Sequence, residues 1–337
     1  MRLELAWFSG RPLLRGRGAG AILRFERVRP PRSDTFQPLR AREITPQFLD
    51  RAIRALKRWK YDFVGMDDVC RRAHAPPQKR RFVALTFDGA TRDLISFAYP
   101  VLKRHAVPFT VYVPTAFPDG VGEAWRLGLE QVIARESRIS LMMGEKEQRF
   151  TVTGNAEKQA LFSFVESWLR SLPPADLSAA IADLCTRYRI DLAALTREAS
   201  MDWEDLVKLA ADPLVTVGSA TVNYPVLANM KDAAALREMT MGKAVAEAAF
   251  DREIRHLAFP FGDRSSFRRS HVVMAEEAGF ASAVSTISGI VDAEGRTNLR
   301  ALPRISWDGR RRSLRMMRVL LSGVAFAPVK PTSTSAP

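Results

Sequence analysis

Residues 82–93 read FVALTFDGATRD. Phe82-Val83-Ala84-Leu85-Thr86-Phe87 is an apolar, aromatic and β-branched run, and it breaks at Asp88-Gly89-Ala90. Past the break, Leu94, Ile95, Ala98, Val101 and Leu102 recur at helical spacing. A short apolar run closed by turn residues reads as a parallel strand buried on both faces. An aspartate at the strand's C-terminal tip, on a small-residue turn into a helix, sits where α/β enzymes place their chemistry. It equally suits the N-cap of that helix. From the strand end alone both readings stand.

The pattern extends in both directions. Residues 108–113 form a second buried strand, so 82–113 reads as a βαβ unit. Upstream, 21–28 alternates like a first strand, and 29–34 is a loop. Thr45-Pro46 marks a helix start carrying Phe48, Ile53, Leu56 and Trp59. A short strand at 61–64 and a short helix at 66–73 follow. Residues 123–210 are mostly helical, with patterns at 123–136, 157–171, 175–188 and 202–211 and a candidate hairpin at 138–153. This stretch reads as a helical insertion that lids or walls a site, or as an ordinary helical subdomain. Strands at 215–218, 254–259, 280–285 and 302–305 then alternate with helices at 232–250, 270–279 and 312–324. Such alternation implies an α/β fold with a parallel sheet, closed or nearly closed. The expected organisation is a basic arm at 1–20, one barrel domain at 21–325 and a disordered tail at 326–337.

Composition narrows the classes. A chain of 337 residues, 47% hydrophobic and 26% charged, is long enough for one large α/β domain and reads as soluble and globular. Its two cysteines, Cys70 and Cys185, give neither a disulfide framework nor a metal pattern. The net charge of +14 favours anionic partners such as nucleic acid, anionic lipid or acidic polysaccharide. The charge clusters at 11–32, 79–81 and 310–318. No nucleic-acid module is visible, so no specific nucleic-acid partner is expected. Glu4 interrupts the first apolar run, and no stretch approaches the roughly 20 apolar residues of a membrane span. The expectation is a cytoplasmic protein. Peripheral membrane contact through the basic amphipathic helix 312–324 is one use of that helix; packing its Leu/Met stripe on the barrel is the other.

Four stretches in order, LTFDGATRD (85–93), VGSATVNYP (217–225), HLAFPFG (256–262) and LPRIS (302–306), resemble the polysaccharide deacetylases, the NodB homology domain. The resemblance covers about residues 20–325. It implies a distorted (β/α)7-type barrel that removes N- or O-acetyl groups from sugars. It also implies a divalent metal such as zinc, held by one Asp and two His, and a separate Asp as general base. Carried over position by position, Asp88 falls on the base and Gly89 on the metal-binding Asp. Ala220 and Tyr224 fall on the two His, while Asp93 and Pro225 match. Gly and Ala offer no donor, and neutral Tyr is a poor zinc ligand. His74, His105, His256 and His271 have no partner at ligand spacing, so no metal and no other cofactor is expected.

Cleft candidates by the same resemblance are Asp93, Pro225, Phe259, Pro260, Phe261, Gly262 and Arg304. Arg304 reads either as a charge partner of Asp88 or as a surface arginine. Trp125, Trp203 and Trp307 read as sugar-stacking faces or as core. The first functional reading is a catalytically degenerate deacetylase-like pseudoenzyme that binds a glycan or glycolipid or regulates an active relative. The second is an active carbohydrate deacetylase with altered ligands and Asp88 as base. The third is a polyanion-binding protein whose fold is incidental.

Overall fold

The computed structural model describes residues 18–309 and 313–326. Residues 1–17 of the expected arm, 327–337 of the expected tail, and 310–312 at the start of the basic helix lie outside the described residues. The strands are β1 (Gly20–Phe25), β2 (Arg27–Val28), β3 (Glu43–Ile44), β4 (Asp62–Phe63), β5 (Phe82–Asp88) and β6 (Phe109–Val113). They continue with β7 (Arg138–Met143), β8 (Lys146–Thr151), β9 (Val215–Ser219), β10 (His256–Ala258), β11 (Ser282–Val284) and β12 (Ile305–Ser306).

Seven strands run in the order β11-β10-β9-β6-β5-β1-β12, all parallel, and β4 pairs with the first residues of β5. Side chains alternate between the two faces of a strand, and here both faces are apolar. Ala21, Leu23, Val83, Leu85, Val111 and Leu257 share one buried cluster with the flanking helices. Ile22, Ala84, Tyr112, Ala258 and Val284 form another. Ile22 and Val284 come from strands near opposite ends of the path yet share that cluster. The sheet is therefore curled, with this second face inside. Leu302 bridges to Val284 while Ile305 and Ser306 pair with β1, so one short segment touches both sides of the curl.

The helix Pro46–Arg58 starts as its sequence suggests. Thr45 Oγ1 accepts a hydrogen bond from the Phe48 N–H at 3.1 Å, and Pro46 follows the cap. Residues 114–214 connect β6 to β9 and hold five helices, Trp125–Arg135, Asn155–Ser171, Pro174–Arg187, Leu192–Ala199 and Trp203–Ala210, plus the antiparallel β7–β8 hairpin. Leu129, Val132, Ile139, Phe162, Leu169 and Ile181 give this region its own buried cluster. The sequence pattern did not show the helix Leu192–Ala199. At eight residues it is too short for a clear periodicity.

The helix Leu314–Leu321 buries Met317, Val319, Leu320 and Leu321. Each such burial is worth about 1.5–3 kcal/mol. Its apolar stripe thus packs on the domain, the packing use of the two that the sequence offered for this helix. No helix among the described residues is long and apolar enough to cross a membrane.

Gly242, on the helix Asp232–Phe250, fixes a close approach. A Cβ there would lie 2.5 Å from the Thr221 carbonyl carbon. Glu238 of the same helix accepts hydrogen bonds from the Val222 and Asn223 N–H groups at 3.0 and 2.9 Å. The helix thereby holds the loop after β9. Gly242→Ala is expected to destabilise the protein by about 1–3 kcal/mol through overpacking, read as a lowered urea midpoint.

Candidate functional site

The C-terminal ends of the parallel strands carry polar residues on the inner face. Asp88 ends β5 in register with Tyr112 of β6, and Arg24 of β1 is in register with Thr86. By alternation, Arg24, Thr86 and Asp88 point to the same side as Ile22 and Ala84. The Asp88 side chain is 1% exposed. Its Oδ2 accepts from Arg24 Nε at 2.5 Å and from Arg304 Nη2 at 2.8 Å, while Oδ1 accepts from Arg304 Nη1 at 2.7 Å. Arg304 is fully buried, and also donates to the Ser285 carbonyl at 2.8 Å and to Thr86 Oγ1 at 3.1 Å. Its guanidinium lies 5.6 Å from the centroid of the Tyr112 ring.

The ionic contacts continue outward with alternating sign. Arg24 Nη2 meets Glu26 at 3.3 Å, and Glu26 meets Arg42 Nη1 at 3.2 Å. Arg42 pairs with Glu166, which also accepts from Arg126 Nε at 2.6 Å. The lattice therefore sets four arginines against three carboxylates. Burial pushes Asp88 and Glu26 upward, but neighbouring guanidiniums outweigh it. Arg304 and Arg24 hold Asp88 below the usual carboxylate range, and Arg24, Arg42 and Arg126 draw Glu26 down to about 2. Arg126 moves the other way. Burial, and then the Arg42 charge, push it down to about 10. Its Nη2 is buried with no hydrogen-bond partner. Its guanidinium lies 4.4 Å from the Trp125 ring centroid and 4.7 Å from that of Phe261.

Asp88, Gly89, Tyr224, Trp125, Arg42 and Arg126 line one cavity of about 150 Å³. Gly89 has φ +101°, and its N–H donates to the Tyr112 carbonyl at 3.0 Å. Ala220 is wholly buried in the inner cluster, just past β9, with its N–H on the Val113 carbonyl. Tyr224 has φ +58°, its ring stands 5.4 Å from Phe261, and burial raises its phenol further above the ordinary range. An adjoining cavity of about 290 Å³ is lined by Trp125, Tyr224, Pro225 and Phe261.

Other sequence candidates lie elsewhere. Asp93 pairs with Arg27 at 2.6 Å and lines a neighbouring groove of about 900 Å³, and Arg27 lines both that groove and the Asp88 cavity. Phe259 is a core residue, not a cleft wall, because it is 0% exposed and stacks on Phe267 at 4.4 Å. Pro260 is buried beside it, and Gly262 has φ +69° with Thr286 too close for any Cβ. Arg304 is the partner of Asp88, not a surface arginine. Trp307 is buried against Phe48 at 6.3 Å. Trp203 packs on Phe250 and donates to Asp119 at 2.6 Å. The Trp307 ring therefore offers no free stacking face.

The four histidines are spread out. His74 bonds the Cys70 carbonyl, His105 bonds Asp50, His256 bonds Ser282 and His271 bonds the Arg268 N–H. Among the described residues no group of three or more His, Cys, Asp and Glu is placed to hold a metal ion. The sequence reading missed Arg24, Glu26, Arg42, Arg126 and Glu166. In sequence they are charged residues scattered from 24 to 166 with no motif to mark them.

Solved structures similar to this fold include deacetylases. Deacetylase PplD of Streptococcus pyogenes, determined with acetate, is 16% identical with a TM-score of 0.57 over 90% of this chain and 97% of its own. IcaB from Ammonifex degensii is 14% identical with a TM-score of 0.57 over 90% and 98%. BC0361, a polysaccharide deacetylase from Bacillus cereus, is 11% identical with a TM-score of 0.55 over 89% and 68%. No family model and no curated protein matches the sequence.

Proposed function

We propose that this chain is a glycan-binding or regulatory pseudoenzyme on the (β/α)7 deacetylase barrel, its helical region 123–210 being an insertion that walls the cleft. The observation that supports it most is the state of Asp88. Both carboxylate oxygens are taken by two buried guanidiniums. A general base works best with a pKa near the working pH, and these cations drive Asp88 away from it.

The residues present do not fit a divalent metal. Gly89 and Ala220 carry no donor side chain, Tyr224 is a phenol kept neutral by burial, and Asp88 is already neutralised by Arg24 and Arg304. A metal-bound water therefore has no place in this reading. What the cleft offers is an underpartnered guanidinium beside aromatic rings. Arg126 ends the ionic lattice with a bare, buried Nη2 against Trp125 and Phe261. A desolvated guanidinium of this kind suits a carboxylate, so the preferred ligand is an acidic polysaccharide carrying uronate groups.

The test has two arms. Acetate release from acetylated chito-oligomers and acetylated polysaccharides, with zinc, cobalt, nickel or manganese added, is expected to stay at background. Calorimetry is expected to show uronate oligomers binding in preference to neutral ones, with Arg126→Ala weakening them about tenfold, or about 1.4 kcal/mol. Stoichiometric metal with turnover would instead establish an active deacetylase using altered ligands and Asp88 as base.

A further inference from the structure

Two of the basic runs in the sequence, 79–81 and the described part of the second, 313–318, play no part in the cleft around Asp88. The fold brings parts of both together at the other end of β5. Lys60, Lys79, Arg80, Arg81 and Arg318 line one cavity of about 440 Å³. Trp59 and Tyr61 complete its walls, and among the described residues no carboxylate lines it. Arg318 lies 5.6 Å from the Trp59 ring centroid, and Arg81 lies 5.9 Å from that of Tyr61. Those rings hold guanidiniums in place.

A basic surface is ordinarily a solvated one, and the exposed Lys60, Lys79 and Arg80 fit that description. Arg81 does not. Its Nε and Nη2 are shut off from solvent without a hydrogen-bond partner, and only its Nη1 reaches an acceptor, Tyr61 Oη, at 3.4 Å. Burial holds it below the ordinary arginine range. Asp292 is close enough to act on its charge but makes no hydrogen bond to it. Asp62 is engaged by Arg72 at 3.0 Å and Arg80 at 3.7 Å. Neither Lys60 nor Lys79 forms an ion pair among the described residues. The cavity thus combines several positive charges with a guanidinium two of whose nitrogens lack acceptors.

We infer that this cavity is a binding site for a phosphate ester or diphosphate group, distinct from the glycan cleft and independent of what that cleft binds. A compact dianion with several acceptor oxygens meets both needs of the site, charge and hydrogen-bond acceptance. The group could be carried by an anionic lipid or by a soluble phosphorylated molecule, and the probes separate the two.

Inorganic pyrophosphate titrated into the full-length protein in a calorimeter is expected to bind saturably at one site. Arg81→Met and the double variant Lys60→Gln with Lys79→Gln should each weaken it at least tenfold. Arg126→Ala, in the other cleft, should leave it unchanged. The double variant alters only exposed side chains, so it carries the test if Arg81→Met does not fold. Vesicles of phosphatidic acid in phosphatidylcholine are the second probe. Vesicle binding that pyrophosphate displaces and Arg81→Met removes assigns the site to a lipid headgroup. Pyrophosphate binding without vesicle binding assigns it to a soluble ligand. No pyrophosphate binding, or binding that neither variant at this cavity weakens, overturns the inference.

Discussion

Asp88→Ala is expected to lower the unfolding free energy by about 3–5 kcal/mol, because it takes the only carboxylate from the buried Arg304 guanidinium and leaves Arg24 with Glu26 alone. Against a total of about 5–15 kcal/mol for a typical domain, that brings the protein close to unfolding. Arg304 is 0% exposed and Arg24 is only 12% exposed at its side chain, so neither can turn to solvent without opening the inner face. Arg304→Met should cost a similar amount by leaving Asp88 underpaired. The double variant Asp88→Ala with Arg304→Met should be less damaging than the two single losses added together, since the charges leave as a pair.

The same contacts set an acid limit. The folded carboxyls of Asp88 and Glu26 lie below their unfolded values, Glu26 at about 2. Below the unfolded pKa of about 4 the unfolded chain takes up protons that the folded one refuses. Their stabilising contribution is therefore complete above about pH 4.5 and is lost as pH falls through the folded values. Urea midpoints at about pH 7, 5, 4 and 3 should be level at first and then fall, with a smaller fall in the double variant. A wild-type midpoint that holds from about pH 5 to 3, or an Asp88→Ala loss under about 1 kcal/mol, would sink this account of the site.

The sheet was legible because strands buried on both faces show as unbroken apolar runs, as in residues 82–87. The hairpin at 138–153 and the helix Asp232–Phe250 were legible for similar local reasons. The ionic lattice was not. Arg24 sits in the run ILRFERV, where alternation marks a strand but not which of its sides is buried. Here the sheet curls, so the inner face at the strand ends is where buried charge collects. Arg42 and Glu166 are 124 positions apart and meet only because the connection between β6 and β9 folds back over the strand ends. Phe259 failed for the opposite reason. Its place in AFPFG suggested a cleft wall, but β10 alternation turns it to the helix-covered face with Leu257. Arg304 was identified as one of two possibilities, and only the closing segment 302–306 decided between them.

Introducing the ligand residue types that the deacetylase resemblance implies, with Gly89→Asp, Ala220→His and Tyr224→His together, is expected to leave the protein without zinc as long as Arg24 remains. Three physical obstacles stand in the way. Gly89 has φ +101°, a region costly for any residue with a side chain, of the order of 1–3 kcal/mol. The space beside it is open, since a Cβ at this position would meet Thr91 Cγ2 only at 3.8 Å, so the penalty is backbone strain alone. Ala220 is wholly buried among Tyr112, Ala258 and Val284, so an imidazole there must displace packed neighbours. The third obstacle is electrostatic and the largest. A divalent ion about 6 Å from a single guanidinium, at an effective dielectric near 20, is opposed by about 5 kcal/mol, and Asp88 sits between two guanidiniums. Adding Arg24→Ala removes one of those cations while Arg304 still orients Asp88. The four-site variant is expected to hold about one zinc per chain by elemental analysis, where the three-site variant holds close to none. Zinc bound stoichiometrically by the three-site variant would show that Arg24 does not guard the cleft. Zinc refused by all four substitutions in a folded protein would show that positions 89, 220 and 224 do not converge on a common ion.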